Sequence, residues 1–192
     1  EAGTEVIDLK GQWVMPGIID SHSHIAIEGG VNETGDLITA EVDIRDVLNP
    51  EDLNIFYALT GGVTSIHTTH GSANPIGGRG VCLKLRWGAD AEGLLFKGAP
   101  LTSKWALGEN PKQTNFSGAG KPRYPRSRMG VEESIRLEFD QARDYMKAWE
   151  TYEKKIKEAR GRKGAAVPLA PRKDYRLEAV ADIQADLARG LA

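Results

Sequence analysis

The pattern of apolar and polar positions changes character near Gly130. Before it, short apolar runs alternate with loops rich in Gly, Asn, Asp and Pro, which is typical of β-strands. Strands are predicted at residues 17–24, 63–69, 81–87, 93–98 and 102–107, with shorter ones in 5–17 around a turn at Lys10-Gly11. Residues 28–50 and 71–80 are predicted to be loops, the second of them Gly-rich.

One helix lies among these strands. A capping residue, Asn49, is followed by Pro50 and two acids, and the apolar run stops at Gly61-Gly62. Strand, loop, helix and strand therefore follow one another between residues 17 and 69. This order predicts a βαβ unit with parallel strands.

After Gly130 the apolar period becomes helical. Apolar residues recur at steps of three and four from Ile135 to Ile156, which predicts a helix over 131–160. Residues 108–128 and 161–173 are predicted to be irregular, and 174–190 to be a helix capped by Gly190.

Composition limits the classes of function. The 192 residues include 25 basic and 27 acidic side chains, so the chain lacks the basic excess of a nucleic-acid-binding protein. No apolar run reaches the roughly 20 residues that cross a bilayer, and no membrane span is expected. Cys82 is the single cysteine, so no internal disulfide can form. The chain starts at Glu1 without a methionine, so we expect its natural start upstream, and the compartment stays open between cytoplasm and periplasm or secretion.

The stretch VMPGIIDSHSHIA at residues 14–26 carries the main candidate chemistry. Side chains alternate along a strand, so Asp20, His22 and His24 are predicted to share one face. Two imidazoles on one face can bind one divalent cation, and neutral imidazole suits zinc. The apolar residues Ile18 and Ile19 predict that this strand is buried.

This stretch resembles the signature of the amidohydrolase superfamily, in which Pro-Gly, two apolar residues and Asp-x-His-x-His form the first barrel strand. Four further segments resemble the imidazolonepropionase-like branch in order: GGVTSI (61–66), GSANPIGGRG (71–80), KWALGENPK (104–112) and YPRSRMGVE (124–132). The resemblance implies an α/β fold, a partial TIM-like (β/α)8 barrel of the metal-dependent hydrolase type. Residues 1–15 would be an edge segment of a small β-sandwich, and 16–192 the N-terminal part of the barrel, incomplete at its C-terminus.

The resemblance also implies a metal site. His22 and His24 correspond to the first-strand ligand pair. Asp20 would orient one of the ligands without touching the metal, or it would face the metal directly. One or two divalent ions, expected to be zinc, would be bridged by a carboxylated lysine. Lys104 is the candidate because it lies inside a predicted strand, where a free ammonium is costly to bury; the equal alternative is a lysine that extends to the surface or forms an ion pair. Glu109 is the alternative bridging carboxylate.

Several family residues have no counterpart in the chain. No histidine follows His70, and the general-base Asp is expected outside this chain. A full barrel needs roughly 250 residues, so the remaining half is expected on the same gene or on another chain. A homo-oligomer is also expected.

The other candidates lie in loops near the strand ends. His70 and Arg79 are assigned to substrate binding, whereas His67 is read as a hydrogen-bonded structural residue. Arg123, like Arg126 and Arg128, is read as part of a solvated basic loop rather than as a carboxylate-binding group.

The resulting hypothesis is a metal-dependent hydrolase. It would cleave carbon–nitrogen bonds of an amide, a cyclic amide or a dipeptide-like small molecule by metal-activated water. Two alternatives are a non-catalytic binding or assembly module derived from an amidohydrolase, and a mononuclear deaminase of the same superfamily.

Overall fold

The computed structural model describes residues 3–112, 123–162 and 166–190. These residues form a mixed α/β structure, with short 3-10 turns at Ile44–Val47 and Asn110–Lys112. The main elements are β1 (Ile18–Ser23), α1 (Leu53–Thr60), β2 (Val63–Thr68), β3 (Ile76–Lys84), α2 (Ala91–Leu94), β4 (Thr102–Trp105), α3 (Arg128–Arg160) and α4 (Tyr175–Ala188).

The strands form one sheet in the order β1-β2-β3-β4. β1 and β2 are parallel, with Ile18 opposite Val63, and α1 lies between them in sequence, which confirms the predicted βαβ unit. β3 is antiparallel to both β2 and β4. β1, β2 and β4 therefore run in the same general direction, and β3 interrupts them, whereas a regular (β/α)8 barrel has only parallel strands.

The start of α1 differs from the prediction, although its end does not. The cap is Asp52, whose side chain accepts hydrogen bonds from the amides of Asn54 (3.0 Å) and Ala26 (2.7 Å). Asn49 instead accepts from the amide of Glu51 and closes the preceding turn. The helix ends before Gly62, whose φ of +87° favours glycine.

Two buried apolar clusters hold the fold together. The first packs α1 and α2 against β2 and β3 through Ile55, Ile66, Leu83 and Leu94. The second packs α3 and α4 against the other part of the sheet through Ile76, Ala142 and Val180. Phe139 also packs against the second cluster, as the predicted apolar stripe of α3 requires.

The prediction that the first strand is buried is wrong. Ile18 is 44% exposed and Ile19 is 74% exposed. The physical reason is that β1 is the edge strand and pairs only with β2 within the described residues. Its apolar residues therefore lack a covering layer in this part of the chain.

The prediction of a loop over residues 71–80 is wrong in its second half, because residues 76–80 begin β3. The glycines there permit close approach. A Cβ atom on Gly77 would lie 2.6 Å from Nδ1 of His70, and one on Gly78 would lie 2.6 Å from the carbonyl oxygen of Val42. In a strand, glycine is compatible with such close backbone packing.

Three further predictions need correction or lie outside the description. Residues 93–98 are not a strand: α2 begins after its cap Asp90, and Leu95 makes only an isolated bridge to Leu83. Residues 5–13 form no strand, although the turn at Lys10-Gly11 is present. Part of the predicted irregular segments, 113–122 and 163–165, lies outside the described residues.

The division at residue 15 into a β-sandwich segment and a barrel part stays a prediction. The two predicted long helices are confirmed with small shifts. α3 begins at Arg128, capped by Ser127, and α4 ends with Arg189 as its cap, one residue before Gly190. Among the helices of the described ranges, none has the length and apolar composition that crossing a bilayer requires.

Candidate active site

The sheet is curled, and the curl brings its two edges together. β1 and β4 are separated by two strands, so a flat sheet would place them about 14 Å apart at the usual spacing. Nζ of Lys104 on β4 nevertheless lies 3.0 Å from Nε2 of His22 on β1. The inner face of the sheet therefore collects side chains from both edges.

The two histidines of β1 lie next to each other at this inner face. The ring centroids of His22 and His24 are 5.0 Å apart, with their planes at 79°. Both side chains are exposed. The carboxylate of Asp20 accepts a hydrogen bond from the backbone amide of His22 at 3.1 Å. It therefore supports the local backbone at the irregular end of β1.

Lys104 reaches the same place from β4. Its side chain is half-buried and has no carboxylate partner among the described residues. A lysine ammonium can only donate, so Nε2 of His22 accepts, and the neutral His22 ring carries its proton on Nδ1. The charge of Lys104 is the main cause that lowers the pKa of His22, with burial and His24 adding smaller effects. Two protonated groups are thus disfavoured here.

β2 supplies the groups that hold these side chains. The carbonyl oxygen of Thr69, just after β2, accepts from Nδ1 of His24 at 2.9 Å, which leaves Nε2 of that ring available. His67 contacts the carbonyl oxygen of Ser21 through Nδ1 at 3.2 Å and Oγ1 of Thr102 through Nε2 at 2.8 Å. His67 is thus hydrogen-bonded on both sides, in accord with the structural reading of the sequence.

The two residues assigned to substrate binding, His70 and Arg79, do not join the group formed by His22, His24 and Lys104. His70 is 2% exposed, and its ring donates to the carbonyl of Gly71 and accepts from the amide of Glu33. Burial lowers the pKa of His70 and favours this neutral form. A substrate contact by His70 stays a prediction, and it would require one of these hydrogen bonds to break.

Arg79 lies on the other face of the sheet. It is opposite Ser103 in the β3–β4 pairing, and directly opposed residues share a face. The next pair, Gly80 and Thr102, faces the inner side with Lys104. The structure therefore separates Arg79 from the His22 and Lys104 pair, and its assignment to substrate also stays a prediction.

The remaining candidates have structural partners. Glu109 forms an ion pair with Lys112 at 2.5 Å. Arg123 is not a solvated loop residue: it donates to the carbonyl oxygens of Thr34, Asp36 and Ala73 and to the side chain of Asn74. Its guanidinium therefore joins two loops, and burial lowers its pKa. By contrast, Arg126 and Arg128 are exposed; Arg126 lies in the loop before α3, whereas Arg128 is the first residue of that helix.

Two residues of this site are absent from the sequence-based assignment. Thr102 lies two positions before Lys104, so strand alternation would have placed both on one face. Thr69 acts through its backbone carbonyl, for which the sequence carries no signal.

The donor set fits a metal only in part. Within the described residues, no three His, Cys, Asp or Glu side chains are placed to share one ion. His22 and His24 supply two neutral nitrogen donors, which suit zinc and related metals. Lys104, which is hydrogen-bonded to His22, could act as a bridging ligand only after carboxylation of its amine.

The described residues thus form a curled α/β sheet with these polar groups on its inner face and helices packed behind it. No family model matches the chain. It is similar to the amidohydrolase tasK of Hapsidospora irregularis, with 32% identity over 154 residues, or 71% of this chain and 15% of that protein.

Among solved structures, the chain is similar to an amidohydrolase from Thermotoga maritima MSB8. The TM-score is 0.65 at 33% identity, and the match covers 94% of this chain and 47% of that one. Both comparisons support the amidohydrolase family, and the structural match is consistent with part of a (β/α)8 barrel. This chain spans about half the length of the solved relative and a smaller part of the curated one.

Proposed function

We propose that this chain forms one side of the active site of a metal-dependent hydrolase that cleaves carbon–nitrogen bonds. The substrate would be an amide, a cyclic amide or a dipeptide-like molecule. The observation that carries the proposal is the convergence of His22, His24 and Lys104 from opposite edges of the curled sheet. Similarity to two proteins named amidohydrolase supports the hydrolase class.

His22 and His24 would hold a divalent cation, expected to be zinc, through ring nitrogens. Nε2 of His24 is the available atom, because Nδ1 donates to Thr69. A bound cation of this kind lowers the pKa of a water molecule and polarises a carbonyl group. The Asp that takes the water proton is expected outside this chain, on the remaining part of the barrel.

Lys104 would serve as the bridging ligand. Its ammonium would first lose a proton to water, and the neutral amine would then form a bond to carbon dioxide and lose a second proton to water, which gives a carbamate with two oxygen donors. Nε2 of His22 lies 3.0 Å away, and the lowered pKa of His22 keeps its ring neutral, so that Nε2 can accept a hydrogen bond from the lysine nitrogen. This arrangement favours the hydrolase over a mononuclear deaminase, which needs no bridging lysine.

The test is metal content, measured by plasma mass spectrometry on protein made from its full natural gene without chelators. One or two equivalents of metal are expected, with loss in His22→Ala and His24→Ala. Lys104→Arg keeps the charge but cannot form the carbamate, so it should lose bridged metal, whereas the matched variant Lys147→Arg on α3 should not. Metal-free protein, or metal unaffected by both histidine variants, would replace this proposal with a non-catalytic binding module.

A further inference from the structure

β3 separates the two strands that His67 joins. In the sheet order, β2 and β4 are not neighbours. His67 on β2 still reaches Oγ1 of Thr102 on β4 at 2.8 Å. The contact passes over Gly80 of β3, where a Cβ atom would lie 2.9 Å from Nε2 of His67 and 2.7 Å from the Thr102 hydroxyl.

The opposite side of the His67 ring points to β1. Its Nδ1 lies 3.2 Å from the carbonyl oxygen of Ser21, the residue before His22. A carbonyl can only accept, so Nδ1 carries the proton, and in the neutral ring Nε2 accepts from the Thr102 hydroxyl. One ring thus links the backbone beside His22 to a side chain two positions from Lys104.

We propose that His67 is a positioning residue that sets the distance between His22 and Lys104 by joining β1 to β4 across the glycine of β3. An effect of His67 on metal binding rests on the proposed function. Its effect on the distance between His22 and Lys104 needs no metal, because it concerns only the positions of β1 and β4. Removal of a group that orients a metal ligand by a hydrogen bond commonly lowers metal affinity 10- to 100-fold.

The test removes one hydroxyl at constant side-chain shape. Thr102→Val removes the hydroxyl that donates to Nε2 of His67, and Thr102→Ser retains it. Thr151→Val is the matched control, because it removes a comparable hydroxyl hydrogen bond on α3. The readouts are the separation of His22 Nε2 and Lys104 Nζ in crystal structures, and cobalt(II) affinity by absorption titration.

The expected result is a longer separation in Thr102→Val, beyond the 3.0 Å of the parent, and cobalt affinity lower by roughly tenfold. Thr102→Ser and Thr151→Val should match the parent in both readouts. A Thr102→Val structure with the parent separation would overturn the positioning role. If the separation grows but neither the parent nor any variant binds cobalt, the positioning role stands and the metal function fails.

A second pair of variants covers the case in which Thr102→Val does not fold. His67→Gln can still reach Thr102 but not Ser21, and His67→Asn can still reach Ser21 but not Thr102. Each should lengthen the His22–Lys104 separation while circular dichroism stays unchanged. Parent-like separation in both would also overturn the role.

Discussion

Replacing Arg176 with leucine removes the cation beside a buried carboxylate. Glu138 on α3 is 5% exposed, and its Oε1 lies 3.0 Å from Nε of Arg176 on α4. The contact has the distance of an ion pair, but its angles do not make a hydrogen bond. Arg176 therefore acts mainly as a compensating charge between the two helices.

The size of the effect follows from burial. Breaking a fully buried ion pair costs about 3 to 5 kcal/mol, because the remaining charge lacks compensation. The Arg176 side chain is 26% exposed and also approaches Asp36 at 3.5 Å, so water already screens part of the interaction. We expect Arg176→Leu to lower the free energy of unfolding by about 2 to 3 kcal/mol near neutral pH. That corresponds to a melting temperature lower by about 4 to 12 °C.

The pH dependence gives the sharper test. Burial raises the pKa of Glu138, Arg176 opposes that rise, and the acids Asp174, Asp36 and Glu41 add to it. Without Arg176 the pKa rises further. A carboxyl whose folded pKa is raised stabilises the fold below its unfolded value and loses that contribution as the pH rises through the folded value. The deficit of Arg176→Leu should therefore shrink as the pH falls from neutral toward the ordinary glutamate value of 4.5.

The assay is thermal unfolding by circular dichroism at about pH 7 and about pH 5, where a normal glutamate is still mostly ionised. Arg136→Leu is the matched control, because it breaks the exposed Arg136–Glu132 pair on the same helix. Its melting temperature should change little at either pH. An equal loss for Arg176→Leu at both pH values would refute the argument from an uncompensated carboxylate, as would a variant as stable as the parent.

Other substitutions test the packing and the caps by urea unfolding. Gly80→Ala should cost about 1 to 3 kcal/mol, because its methyl group would lie 2.7 Å from Oγ1 of Thr102, and an unchanged midpoint would contradict the close contact. Ile55→Ala should cost about 2 to 5 kcal/mol because the side chain is fully buried, whereas a loss under 1 kcal/mol would mean that the core collapses around it. Asp52→Ala should cost about 1 to 2 kcal/mol, since it removes the α1 cap and the acceptor for the amide of Ala26, and Asp52→Asn should recover only part of that loss, because it keeps one oxygen acceptor of the two.

The sequence correctly predicts the helices and helix ends that depend on residues near them in the chain. The helix predicted over 131–160 and its helical period depend on nearby residues, as does the Gly61-Gly62 stop, and the structure contains both the helix and the stop. The stripe packs against the second cluster at Ile135, Phe139 and Ala142, whereas Met146 is 42% exposed. The parallel pairing of β1 with β2 follows from the helix between them. These features need no knowledge of the rest of the fold.

The remaining features depend on distant contacts. Residues 76–80 form a strand because Gly77 and Gly78 let the chain pass close to His70 and Val42, and the sequence shows only glycines. Likewise, Ile19 is exposed because β1 lies at the sheet edge, which no local pattern reveals. The His22 and His24 pair can be predicted from alternation, but its contact with Lys104 requires the curl of the whole sheet.

β4 explains how the outer helices and the inner site depend on each other. Its side chains alternate, so Thr102 and Lys104 face inward while Trp105 faces outward, where its ring lies 5.8 Å from that of Phe139 on α3. β4 has only four residues and pairs only with β3 among the described strands. So short a strand gains little from its ladder alone. Its position is therefore supported from both faces, by the packing of Trp105 against Phe139 outside and by the hydrogen bond between Thr102 and His67 inside.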